Sequence, residues 1–534
     1  MILPTGNAVG GGISGNIDGH HPRHLMIHSD SYIPHSPIEI TSNDDFVTQG
    51  WPGNGTEVNP YVIEGLDITN VSTCISISDT DVYFEIRECF ISAPAQSSYF
   101  GISLTRVLHG TIKDCISNLH SNGIYLHESD LCSLTNNTVA DNQFGFYLDS
   151  SSLCVLINNT ANSSSHYGFY LRQSSFCVLT NNTATGNNEI GFWIYLSPSC
   201  NLTGCSAMDN EWHGFFVSYS TSCILMNNTA MRNSDFGFFL SYSSSCDLIN
   251  NTAVNNYQHG FILYYSDSCT ITQSSIIDNG WYGICLSESS SCMLTNNTLK
   301  NCGLVISGTS RSNWLHVISN TTVNDLPIGY IRSVWDTNID GRQYSQVILT
   351  NCTGVTVENG IFKDVSIGIQ LGFCIGCSLT NNTASYNIIG FSLLFSSGCT
   401  LMNNTSSENM YGIYLSSGCS GNLIFFNRFF LNIELNAYDN SGPNNWDNGI
   451  HGNFWDDFNG TGMYSIAGAA ESFDRHPYIY GQPLPTNTTT TTLNDGFEVL
   501  LQSIVLGLSL LSIVAIVVVV VLKIRPRVAN NIAE

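Results

Sequence analysis

The chain has 534 residues, with 16 Lys and Arg against 41 Asp and Glu and a formal charge of −25. Nothing in that balance neutralises a phosphate backbone, so nucleic acid is excluded as a partner. Disorder is excluded as well, because 43% of residues are hydrophobic and 11% aromatic.

Residues 1–35 read as a flexible, Gly-rich leader. His20, His21 and His24 form a loose cluster there, a weak candidate metal site against the plainer reading of a solvated leader. The leader has no basic n-region followed by an apolar h-region, so secretion implies a start upstream of Met1 or a lost signal, and the alternative is a tail-anchored cytosolic domain.

Residues 36–435 read as a repeat array. A glycine followed by an aromatic or aliphatic triplet recurs at Gly101, Gly123, Gly145, Gly168, Gly191, Gly214, Gly237, Gly260 and Gly283, in steps of 22 and then 23. The pattern resumes at Gly368, Gly390 and Gly412. So constant a period indicates a solenoid. Gly145-Phe146-Tyr147-Leu148 alternates as a strand, and Cys154-Val155-Leu156-Ile157 supplies a second strand rich in β-formers. No window shows helical spacing, so the predicted fold is all-β: a parallel β-helix, right-handed by the crossover rule. Its coils stack at roughly 4.8 Å.

Alternation puts Phe146, Leu148, Cys154 and Leu156 inside. Cys132, Cys154, Cys177, Cys200, Cys223, Cys246, Cys269 and Cys292 hold one repeat position and are predicted to form a buried, reduced ladder. Bridges, if any, fall outside it, for example among Cys74, Cys89 and Cys115. The CxxC pair Cys374 and Cys377 lacks a second pair and reads as structural. An Asn-Asn-Thr triplet starts at Asn136, Asn158, Asn181, Asn227, Asn250 and Asn296. Its first Asn is predicted to point inward or to sit at the turn, as an amide ladder along the axis, and a sequon whose first Asn faces inward is left unmodified. Better glycosylation candidates are Asn54, Asn70, Asn459 and Asn487. The repeated glycine is predicted to serve a tight turn or a positive φ.

Tyr147, Tyr170 and Tyr195 are assigned to one outward position, with Tyr125 and Tyr414 equivalent, as a candidate sugar-stacking row. Acids gather in the irregular parts. Asp325, Asp336 and Asp340 lie in an insertion at about 303–365, and Asp447, Asp456, Asp457 and Asp474 in a cap at 436–484. Asp336, Asp340, Asp456 and Asp457 are the candidate catalytic acids, while turn chemistry explains them equally well. No cofactor is predicted, and Ca2+ is the one cation such acids suit. Residues 485–497 form a Thr-rich stalk. Residues 498–523 are predicted to be a transmembrane helix, with Val499–Leu522 as its apolar core. The basic tail 524–534 places the C-terminus in the cytoplasm and the β-helix outside, by the positive-inside rule.

From Ser36 to Leu484 the chain resembles the NosD-like right-handed parallel β-helix family. The resemblance rests on three groups of residues: Gln49-Gly50-Trp51-Pro52-Gly53 and Pro60-Tyr61-Val62-Ile63-Glu64-Gly65 at the entry, Pro327-Ile328-Gly329-Tyr330 in the insertion, and Asn445-Trp446-Asp447-Asn448-Gly449 with Gly452-Asn453-Phe454-Trp455-Asp456-Asp457 near the end. It implies a fold shared with carbohydrate-binding and sugar-hydrolase β-helices, and through its name a link to copper-site maturation. The expected function is a membrane-anchored cell-surface scaffold binding polysaccharide or surface proteins. The alternatives are a polysaccharide lyase, hydrolase or epimerase, and a copper-delivery accessory.

Overall fold

The computed structural model describes residues 32–479, and the leader histidines, Asn487, the stalk and the segment 498–523 lie outside them. Among the described residues no helix is long and apolar enough to cross a membrane.

Each coil of the first half contributes one strand to each of three parallel faces. In the coil around Gly145 these are Phe144–Asp149, Val155–Ile157 and Thr160–Asn162. The first and second faces each hold 12 strands, in chain order, residue above equivalent residue. Phe146, Leu148, Cys154, Leu156 and Ala161 are fully buried. The interior phenylalanines form one continuous pile, with ring centroids of Phe146, Phe169, Phe192, Phe215, Phe238 and Phe261 separated by 4.6 to 4.9 Å. That spacing is the strand separation itself, so identical rings one period apart must meet face to face. All 19 cysteines are buried and free. Ladder thiols bond to backbone of the coil before them, as Cys154 Sγ does to Ser129 O at 3.3 Å.

Two sequence expectations need correction. The asparagine ladder is made by the second Asn of each triplet. Asn137, Asn159 and Asn182 are buried, with Asn159 Nδ2 donating to Leu134 O at 2.8 Å and to Asn182 Oδ1 at 3.0 Å. The first residues, Asn136, Asn158, Asn181, Asn227, Asn250 and Asn296, are exposed at the corner with φ between 52° and 58°. A left-handed residue reverses the inside–outside parity, and Asn tolerates that conformation better than most. The glycine is required for close approach rather than for φ. A Cβ on Gly191 would lie 2.7 Å from Gly214 O and 3.0 Å from the Cβ of Ala207.

The array breaks after Thr322–Val323, which pairs antiparallel with Leu326–Arg332. A second stack follows, with strands Gln346–Thr350, Ile367–Gly372, Ile389–Leu394, Tyr411–Leu415 and Leu435–Asp439 along one face and an interior of its own. It docks on the last strand of the first face, Leu304–Ser307. There Gln346 Nε2 donates to Leu304 O at 2.6 Å, and Leu304 N donates back to Gln346 Oε1 at 3.0 Å. Gln370 repeats the exchange with Ile306 at 2.9 and 3.2 Å. Two buried amide side chains thereby stand in for the missing neighbour of an edge strand.

Candidate functional site

The outward side of the first face is built by three columns of side chains. Counted from the repeat glycine, they are the residue before it and the residues two and four after it. The second column runs Tyr125, Tyr147, Tyr170, Trp193, Phe216 and Phe239 in strict register. Its centroids are 5.2, 4.7, 4.7, 5.6 and 4.7 Å apart. The column before the glycine includes His213, Phe236, His259 and Tyr282, stacked at 4.8, 5.1 and 4.7 Å. Edge contacts knit the two, with Tyr167 against Trp193 at 4.9 Å and Phe236 against Phe239 at 5.3 Å.

Tyr147 and Tyr170 therefore share a column, while Tyr195 does not: Trp193 stands beside Tyr170, and Tyr195 pairs in register with Arg172. Tyr195 belongs to the third column, where polar chemistry collects. Arg172 donates to Asp149 at 3.1 Å, and His127 Nδ1 lies 3.3 Å from the same carboxylate. Next to the first column, His166 Nδ1 meets Glu189 Oε1 at 2.7 Å. Burial, followed by the charge of Asp149, pushes the Tyr125 phenol up to about 12, so it stays a neutral donor. Further along, Asp235 lies 3.2 Å from His213. Burial raises the Asp235 carboxyl to about 7 and lowers His213 to about 3. Both are then neutral over the intervening range.

The end of this face is covered. Ile262, Tyr282, Cys285 and Val305 pack against Ile367, Ile389 and Tyr414 of the second stack. Tyr414 stacks on Tyr438 at 4.7 Å and takes no part in the row of Tyr147. The open strip consequently runs from about residue 122 to residue 241. Trp193, Phe216 and the His127–Asp149–Arg172 group were not legible as site residues, because neighbouring coils vary residue type at one position.

The acids divide. Asp336 sits exposed at a left-handed turn, φ 43°, and Asp340 caps a short 3-10 helix while pairing with Arg342 at 2.9 Å. They serve local structure. Asp474 accepts from Trp455 Nε1 at 2.9 Å and Asn453 N at 2.7 Å, which holds the cap together. Asp456 and Asp457 converge with Glu434, Asn436, Tyr464 and Ser465 around a cavity of about 470 Å3. Asn436 Nδ2 bridges both aspartates at 2.8 and 3.0 Å, and Tyr464 donates its hydroxyl to Asp457 at 3.0 Å.

The description "Right handed beta helix region" matches residues 53–206 and 122–276, and "Periplasmic copper-binding protein (NosD)" matches residues 330–460. The chain is a right-handed parallel β-helix protein with a NosD-like segment. A search of curated proteins found no match. Among solved structures, the β-helix is similar to the Azotobacter vinelandii mannuronan C-5 epimerase AlgE6 A-module, at 13% identity over 71% of this chain and 98% of that one, TM-score 0.36. It is also similar to the periplasmic alginate epimerase AlgG, at 12% identity over 55% and 85%, TM-score 0.39. The bacteriophage phi29 gene product 12 is a third, at 14% identity over 75% and 69%, TM-score 0.39. Likeness this low says nothing of substrate or chemistry.

The donors within the NosD-like segment do not suit copper. Cys352, Cys374, Cys377, Cys399 and Cys419 are interior residues, and His451 stacks on Phe426 at 4.9 Å. Met402 and Met410 are the two methionines of the segment. Among the described residues no group of three or more His, Cys, Asp or Glu is arranged to hold a metal ion.

Proposed function

We propose that the open strip binds an extended polysaccharide outside the cytoplasm, with the apolar segment Val499–Leu522 as the membrane anchor of the chain. The observation that carries this reading is the unbroken column Tyr125–Tyr147–Tyr170–Trp193–Phe216 beside the Asp149–Arg172 and His166–Glu189 pairs. Ring faces in this column are occupied by one another, so a ligand meets ring edges, phenol hydroxyls and the flanking charges. Such a flat, repeating surface suits a chain of sugars better than a small molecule, which needs enclosure. The binding is read as adhesion, without turnover. One observation favours chemistry instead, namely the convergence of Glu434, Asp456 and Asp457 on one cavity at the other end of the array.

A glycan array probed with the full chain, followed by product analysis, separates the two. Trp193→Ala with Tyr170→Ala is expected to weaken retention of a bound glycan about tenfold, the scale of a lost aromatic contact or two. Asp456→Asn is expected to leave it unchanged. Turnover abolished by Asp456→Asn, with binding insensitive to Trp193, would replace the adhesion reading by the enzymatic one.

A further inference from the structure

The corner between the second and third faces carries an exposed chemistry of its own. In each triplet the first Asn is exposed, the second is buried, and the Thr opens the next strand facing outward, as Asn158, Asn159 and Thr160 do. From solvent the triplet is therefore an accessible Asn-X-Thr acceptor. It recurs at Asn136, Asn158, Asn181, Asn227, Asn250 and Asn296, then at Asn381 and Asn403 of the second stack, always at the same corner. Backbone geometry does not demand the Thr. The same strand position holds Ile116, Ser206, Ser275, Ile361 and Arg428 in other coils. The corner residues two before them are Asp114, Gly204, Gln273, Asn359 and Phe426, all likewise at positive φ. Of these only Asn359 is an asparagine. Corner Asn and outward Thr otherwise travel together, which a requirement for turn or strand alone does not explain.

We propose that this corner is a column of N-glycan acceptors. The carboxamide nitrogen of the corner Asn displaces a polyprenyl diphosphate from the anomeric carbon of a lipid-linked oligosaccharide. The C1–N bond forms, the C1–O bond to phosphate breaks, the amide loses one proton, and the lipid diphosphate leaves. A membrane glycosyltransferase and that lipid donor are required, so the modification rests on the extracytoplasmic placement of the β-helix. Two of the acceptor amides are held at the surface, Asn250 Nδ2 by Asn227 Oδ1 at 2.7 Å and Asn136 Nδ2 by Asp114 at 3.2 Å. Successive rungs lie roughly 4.8 Å apart, too close for two glycan stems side by side, so occupancy skips rungs. The corner lies across the three-sided coil from the aromatic strip, which glycans there leave open.

The test is glycopeptide mass spectrometry on the full chain isolated from cells that make it. Glycan mass is expected on at least two of Asn136, Asn158, Asn181, Asn227, Asn250 and Asn296, and seldom on adjacent rungs of one molecule. Thr160→Val keeps the corner Asn and a β-branched strand residue but destroys the acceptor. It is expected to remove the glycan from Asn158 with no change in thermal midpoint. Bare amides at every triplet rung, whatever Asn54, Asn70 or Asn459 carries, would overturn the proposal and leave the triplet as turn, ladder and strand alone.

Discussion

The two stacks solve the same problem with different interiors. The first repeats at 23 residues over most of its length and piles six phenylalanines ring on ring, each fully buried. The second repeats at 22 and fills the equivalent columns with Val347, Ile369, Phe391 and Ile413, then Leu349, Leu371, Leu393 and Leu415. Strict repetition makes columns, so the first stack offers a long uniform face. Loss of repetition lets side chains from separate segments converge, and a cavity of about 470 Å3 accordingly lies in the cap of the second stack. A flat repeating face and a local cavity are thus consequences of how faithfully the coil is copied.

The comparison breaks most readily inside the first stack. Phe192→Ala removes one ring from a pile in which each ring touches the next on both sides, at 4.7 and 4.9 Å. A destabilisation of about 3–5 kcal/mol is expected from denaturant unfolding followed by ring fluorescence of the first stack. Phe391→Ala, whose column neighbours are Ile369 and Ile413, is expected to fall at the lower end of that range. Equal losses would mean that ring stacking adds nothing beyond burial. The junction comes next. Gln370→Ala strips the partners from Ile306 N and Ile306 O in a buried site, at about 1–3 kcal/mol for each orphaned group. Limited proteolysis between residues 308 and 345 should then become faster, with the cores of both stacks still protected. Unchanged cleavage would show that apolar contact alone holds the stacks together.

Period and composition made the solenoid, its strands and its cysteine column legible, because every coil reports the same position again. What stayed hidden depends on geometry that a period does not encode. The corner Asn at positive φ shifts parity by one residue, so counting alternation through Asn158 assigns the wrong amide to the interior. Tyr195 and Trp193 both point outward, and only register against Tyr170 and Arg172 separates them. The glutamines that close the junction act 42 and 64 residues away from their partners, beyond any local pattern. The cap cavity draws on residues 434–436, 456–457 and 464, three segments whose meeting depends on how the last coils close.

A pH-dependent effect concerns the boundary between strip and junction, where Asp235 and His213 sit among aromatic rings. Burial holds the Asp235 carboxyl at about 7, above its unfolded value of about 3.9, so the native state binds its proton more tightly. Its contribution to stability is full below pH about 4 and is lost as pH rises through 7. His213 and His259 act in the opposite sense. Burial depresses both to about 3, so their contribution is full above about 6.5 and is lost as pH falls toward 3. Asp235→Asn should remove the first slope and keep the second. Relative to the parent, the variant is expected to gain thermal stability as pH goes from 4.5 to 7.5, a trend read from melting midpoints at three pH values. A difference independent of pH would mean that Asp235 titrates as an ordinary surface carboxylate, and the aromatic strip would then be wetter at its covered end than its packing against the second stack implies.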